Sequence, residues 1–202
     1  MSKLYYELQK KELNSITIPK KILLHSCCAP CSSHVINLLT QYFDITILYY
    51  NPNISPEEEY NKRKKEQIKL IKKIPTVNKI DIIDCDYDND IYNKKIKGYE
   101  TCLERGARCN ICFKLRLEKT ASLAHENNYD YFCSTLTVSP YKNAPLINEI
   151  GKSLGDKYGI KWLYSDFKKD NGYKNSIELS KKYNLYRQNY CGCIYSKKDI
   201  NN

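Results

Sequence analysis

Short apolar runs recur along this chain, and nearly every one is followed by a stretch with helical periodicity. "KILLHS", "DITILYYN", "KIDIIDC", "YDYFCSTLTVS" and "IKWLYSDF" read as strands. Between and after them come Val35, Leu38, Leu39 and Tyr42 at helical spacing, "SPEEEYNKRKKEQIKLIKKI", an apolar face of Phe113, Leu117, Ala121 and Ala124, "LINEIGKSLGDKYG", and "NSIELSKKYNL". A helix between two strands is the crossover that parallel pairing requires. The expected fold class is therefore α/β, a single domain with a mostly parallel sheet covered by helices on both faces. The clearest helix is the second, with Ser55 as its cap, Pro56 in the first helical position, and Glu57, Glu58 and Glu59 opposing the dipole. Ligands of such sheets gather at the carboxyl ends of the strands.

At one of those ends the sequence places sulfur. "KILLHSCCAPCSS" runs from an apolar strand directly into Cys27, Cys28 and Cys31. Four more of the chain's 10 cysteines fall in two further tight groups, Cys109 with Cys112 and Cys191 with Cys193. The remaining three, Cys85, Cys102 and Cys133, read as small buried residues. The N-terminal "MSKLYYELQKKELNSITIPKK" has no apolar core of a signal peptide, and no run of apolar residues is long enough to span a membrane. A cytoplasmic protein is expected, and there thiols stay reduced, so the groups point to metal rather than to disulfides.

The spacing carries chemistry. Adjacent side chains in an extended loop diverge, so Cys27 and Cys28 are expected on two neighbouring ions, with Cys31 turning back beside either and Ala29-Pro30 stiffening the turn. Cys109-x-x-Cys112 is a bite used by both zinc and iron–sulfur centres. Gly192 between Cys191 and Cys193 would let the backbone approach a bulky ligand. Seven thiolates exceed the four of one tetrahedral zinc and suit a four-cysteine cluster plus a three-cysteine metal with an open position. Spacing alone does not choose between iron–sulfur and zinc. Arg105, Arg108, Lys114, Arg116 and Arg187 read equally as cations offsetting the charge of so much sulfur, as ordinary surface residues or as RNA contacts. His25 reads as a hydrogen-bonded core residue. His34, His125, Asp44 and Asp81 have no partner at catalytic spacing. "DCDYDND" lacks the glycine and the final glutamate of a calcium loop and reads as a solvated acidic loop.

Taken together, "LLHSCCAPCSS", "YYNPNISPEEEYNKRKKEQ", "ERGARCNICFKLRLEKTA", "STLTVSPYKN", "DFKKDNGYKNSIELS" and "YRQNYCGCIYS" resemble, in that order, the epoxyqueuosine reductases of the QueH type. The resemblance divides the chain into an extension (1–20), an iron–sulfur reductase domain (21–196) and a tail (197–202). It implies a Rossmann-like fold of the HUP/PP-loop kind, like the nucleotide-binding domains of tRNA-thiolating enzymes, with metal at the carboxyl ends of the strands. It implies reduction of the epoxide of epoxyqueuosine to queuosine at the wobble position of tRNA, by a [4Fe-4S] cluster with a second, mononuclear iron and no cobalamin. The cluster is then expected on Cys28, Cys109, Cys112 and Cys191 and the second iron on Cys27, Cys31 and Cys193, the splits within the CC and CGC pairs being interchangeable.

Removing an epoxide oxygen as water takes two electrons and two protons. Asp166, Lys142 and Tyr141, in polar motifs beside strand ends, are the candidate catalytic residues for proton delivery or substrate positioning. An external one-electron donor such as a ferredoxin or flavodoxin is implied. The formal charge of +10 suits a polyanion. Arg116, Lys142, Lys168, Lys169 and Arg187 are candidate phosphate contacts, and Tyr141 and Tyr190 candidates for stacking on anticodon bases. The competing reading is a zinc-stabilised tRNA-binding module without redox chemistry, which would leave most of the thiolates unused.

Overall fold

The computed structural model describes residues 2–198. Five strands, β1 (Lys20–His25), β2 (Phe43–Leu48), β3 (Ile80–Ile83), β4 (Tyr131–Ser134) and β5 (Lys161–Trp162), form one sheet in the order β3-β2-β1-β4-β5. Every pairing is parallel. The helices are α1 (Ser2–Asn14), α2 (Ala29–Leu39), α3 (Glu57–Lys73), α4 (Asn89–Lys95), α5 (Ala107–Glu126), α6 (Ala144–Tyr158), α7 (Gly172–Lys182) and α8 (Ile194–Lys198). The α/β architecture is the expected one. None of the described helices is long and apolar enough to cross a membrane.

The central strand explains the core. Ile22, Leu23 and Leu24 of β1 are fully buried because helices cover both faces, which is why the strand reads as a continuous apolar run. α2 packs against α3 and α7, while α5 packs on β1, β4 and α6. α6 approaches β5 closely: a Cβ at Gly151 would overlap the Trp162 indole. Because β2 and β4 flank β1 on opposite sides, the chain order reverses beside β1. The crevice at that reversal lies between the carboxyl ends of β1 and β4, the usual ligand address of an open parallel sheet.

Several boundaries differ from the sequence reading. The fourth strand stops at Ser134, and Thr135–Val138 form a 3-10 turn, because Ser134 Oγ accepts the Leu136 N–H at 3.2 Å. α3 begins at Glu57, with Pro56 at its cap position and no side-chain cap from Ser55. Within the acidic loop, Asn89–Lys95 coil into α4, which buries Tyr92. Residues 2–14 are no loose extension. α1 lies along the β5 side of the sheet, with Leu13 in the core, Gln9 Oε1 accepting the Asp166 N–H at 3.1 Å, and Tyr5 stacked on Tyr164. Of the isolated cysteines only Cys133 is fully buried; Cys85 and Cys102 are half-buried. Residues 199–202 of the expected tail lie outside the described residues.

Candidate metal centre and its cavity

All ten cysteines are free thiols. Cys27 follows β1 directly, Cys28 is the extended residue that starts α2, and Cys31 is one turn into that helix. This turn folds the three sulfurs together: they all lie within 4.8 Å of one another, and Cys27 and Cys28 Sγ are 3.8 Å apart. A single ion bound tetrahedrally at about 2.3 Å sets its sulfurs about 3.8 Å apart, so this group fits one ion with an open position. This grouping differs from the expected placement of Cys27 and Cys28 on different ions. Cys28 is itself extended, and the turn into α2 after it carries Cys31 back beside both.

Cys109 and Cys112 lie in the first turns of α5, and Cys191 and Cys193 lie just before α8. These four line one narrow pocket together with Asn53, Tyr92 and Arg108. The expected division of the seven, with Cys28 in one set and Cys193 in the other, is not the grouping the thiols adopt. Cys28 stays with Cys27 and Cys31, and Cys193 shares a buried cluster with Cys112 and Tyr92. Cys191 belongs to both neighbourhoods, because it also lines the cavity over Cys27, Cys28 and Cys31.

The fit of these thiols to metal is supported by the donors around them. The Thr135 hydroxyl donates to Cys27 Sγ at 3.3 Å, the Arg105 N–H to Cys109 at 3.2 Å and Lys142 Nζ to Cys191 at 3.3 Å. Tyr92 Oη lies 3.2 Å from Cys193 Sγ, and Arg116 Nη1 reaches Cys112 Sγ at 3.9 Å. Sulfur supplied with donors from charged and polar groups is arranged as ligand sulfur, whereas a packing thiol needs none of them. Without metal, burial pushes Cys112 up to about 12 and also raises Cys109. In the first group, hydrogen bonds from Cys27 and Cys31 hold Cys28 well below the usual thiol range, and Cys31 is driven well above it.

Beneath the centre lies a buried polar layer. His25 Nε2 lies 3.2 Å from Arg116 Nε and 3.1 Å from the Tyr50 carbonyl oxygen, and its Nδ1 lies 2.8 Å from Ser134 Oγ. Burial and the guanidinium push His25 down to about 3, so the imidazole is neutral, as expected of a core histidine. Arg63 is 2% exposed and bonded to Glu59 at 2.7 Å, and its Nη1 donates to the Cys191 carbonyl at 3.3 Å. Gly192, at φ +99°, packs on this arginine: a Cβ there would fall 2.9 Å from Arg63 Nη1 and from Ile54 Cγ1. The close approach foreseen at this glycine is thus to Arg63 and Ile54.

A cavity of about 590 Å³ opens over the first thiol group. Its walls include Arg105, Tyr141, Lys142, Arg187, Gln188 and Tyr190. Tyr141 is 60% exposed at the mouth, under the Arg105 guanidinium. Lys142 is more interior, its Nζ 3.0 Å from Glu104. Burial works against its charge, but Cys191 and Glu104 outweigh burial and hold it above the ordinary lysine range. Two expected site residues are not at the mouth. Asp166 is fully buried, bonded to Lys168, and lines a different cavity with Gln9, His34 and Lys169, away from the thiols. Arg116 is 2% exposed: it lines the cavity from the interior rather than from the protein surface.

The family described as "Epoxyqueuosine reductase QueH" matches residues 22–199 of this sequence. An epoxyqueuosine reductase QueH of Staphylococcus epidermidis is 47% identical over 87% of this chain and 76% of its own. The chain belongs to the QueH family of epoxyqueuosine reductases. It is accordingly an oxidoreductase. Other QueH relatives are those of Streptococcus pyogenes, 42% identical over 90% of this chain and 72% of its own, and Thermotoga maritima, 36% identical over 87% and 89%. A solved structure described as a predicted subunit of tRNA methyltransferase, from Methanocaldococcus jannaschii, is 17% identical. It covers 81% of this chain and 74% of its own at a TM-score of 0.51, a likeness of fold.

Within the QueH motifs, the structure brings the seven cysteines singled out by their spacing to one end of the sheet. Spacing missed Arg63, Glu104 and Tyr92. Arg63 has a local trace, the i,i+4 pair with Glu59, lost among the charges of α3. Glu104 and Tyr92 have none, because their partners Lys142 and Cys193 lie in distant segments.

Proposed function

We propose that this QueH-family chain reduces the epoxide of epoxyqueuosine in tRNA to the alkene of queuosine in the cytoplasm. Two electrons and two protons enter and one water leaves. The observation that carries the reading is the convergence of seven thiols from three segments beside one open cavity at the sheet's switch point. A [4Fe-4S] cluster on Cys109, Cys112, Cys191 and Cys193, beside one iron on Cys27, Cys28 and Cys31, would supply the electrons and a Lewis acid. The wider spread of the first four suits a polynuclear group; the tight triad suits a single ion.

The chain's own residues hold and orient the substrate. Lys142 carries a proton at Nζ beside Cys191, facing the cavity, and is the proton donor best placed for the leaving oxygen. Donation is downhill, because an alkoxide is about as basic as hydroxide, whose conjugate acid has a pKa of about 16. Tyr141 at the mouth offers a face on which a wobble-position base can stack, and Arg105 and Arg187 are placed for its phosphates. The cationic rim suits an acidic electron donor of the ferredoxin or flavodoxin kind.

The test is made on protein purified without oxygen. Iron and acid-labile sulfide are measured, the visible spectrum is taken before and after dithionite, and the reduced protein is mixed with tRNA bearing epoxyqueuosine. Expected are about five irons and four sulfides per chain, a band that bleaches, and conversion to queuosine. One zinc without sulfide after reconstitution, and no conversion, would replace this reading with the zinc-stabilised RNA-binding one.

A further inference from the structure

The interior holds a positive charge that the chemistry above leaves unused. Arg116 lies on the face of α5 that packs against the sheet, and it is 2% exposed. Arg63, equally buried, has Glu59 as its carboxylate partner. Arg116 has none among the described residues. Its Nη2 donates to the Asn51 amide oxygen at 2.6 Å and its Nε to the His25 ring at 3.2 Å, and neither partner is an anion. The remaining nitrogen, Nη1, turns to Cys112 Sγ at 3.9 Å. Neutral partners do not offset the loss of water around a buried guanidinium; an anion does. The anions within its reach are metal-bound thiolates, since Arg116 touches Cys112 and also lines the cavity of Cys27, Cys28 and Cys31.

We propose that Arg116 is the fixed counter-charge of the metal centre, a positioning residue that stabilises the anionic loaded site and favours its reduced form. The proposal rests on the metal-centre reading above. Adding an electron makes an iron–sulfur group more negative, and a cation held beside its ligand sulfur favours that change. Asn51 and His25 fix the guanidinium plane so that one nitrogen always faces the thiol. The same contacts account for an arginine held inside the molecule.

The test compares wild type with Arg116→Gln and Arg116→Lys, each reconstituted without oxygen. The midpoint potential is read from the visible band, and melting temperatures are taken with and without metal. Arg116→Gln is expected to move the midpoint to more negative values and to lower the melting temperature of the loaded form. The metal-free form should be unchanged or more stable, having lost an uncompensated buried charge. Arg116→Lys, which keeps the charge but not the fork, should return the midpoint toward wild type. Equal destabilisation of both forms with an unmoved midpoint would assign Arg116 a structural role only and overturn the proposal. Should Arg116→Gln not fold, Arg116→Lys decides: a midpoint near wild type supports the counter-charge, and one displaced to more negative values overturns it. A wild-type chain that takes up no iron has no band to titrate, and overturns the metal-centre reading together with the proposal.

Discussion

Gly192 shows what the absence of one side chain holds in place. Its positive φ is costly for any other residue, and the space beside it is filled by Arg63 and Ile54. Gly192→Ala is expected to cost about 1–2 kcal/mol in backbone strain and to displace Arg63 from the Cys191 carbonyl. Both a lower denaturant midpoint and less iron per chain should follow. Unchanged values for both would mean that Arg63 swings aside freely. At this scale the sequence is informative where partners are neighbours. Cys27, Cys28 and Cys31 announce themselves because five positions contain them. Arg116 stands out only as one of five cations that could offset the charge of the sulfur, because which of them meets it depends on Asn51 and His25, delivered by other segments.

Among the elements, α1 makes the plainest structural statement. Its Glu12 accepts from Lys161 Nζ at 2.6 Å and from the Tyr131 hydroxyl at 2.5 Å, tying the helix to the starts of β5 and β4. Burial raises the Glu12 pKa, but these two bonds outweigh it and leave the carboxyl below its ordinary value. A carboxyl depressed by folding stabilises above its unfolded pKa, and the contribution is lost as pH falls through the folded one. Glu12→Gln should therefore lower the melting temperature near neutral pH, by an amount equivalent to about 0.2–1 kcal/mol for a partly exposed pair. The difference from wild type should vanish in acid. A constant difference across the pH range would assign the loss to packing instead. The periodicity of α3, α5 and α6 was enough to place them. The turn at Thr135–Val138 was hidden because its β-branched residues suit a strand; only the Ser134 hydroxyl, capturing a nearby N–H, ends it.

Over the whole molecule, charge and topology set the terms for RNA. The net +10 came with five candidate phosphate contacts, of which Arg116, almost fully buried, and Lys142, paired with Glu104, are turned inward. With about three phosphates contacted, the affinity for tRNA should fall with salt at a log–log slope of about −2 to −3. A flat dependence would take RNA out of the account of this charge. The parallel order of the sheet was legible, because each strand and its crossover helix are local patterns. The grouping of the cysteines was not, because it depends on how three distant segments meet. That meeting also has a schedule. A chain leaves the ribosome N-terminus first, and domains begin to fold in that order. Among the described residues, all five strands and seven of the eight helices precede Cys191 and Cys193. The scaffold can thus be finished before its sulfur set is complete, and a product that stops short of Cys191 lacks two of the seven thiols. The capacity to hold the full centre is conferred only when these late cysteines join a scaffold whose strands are already in place.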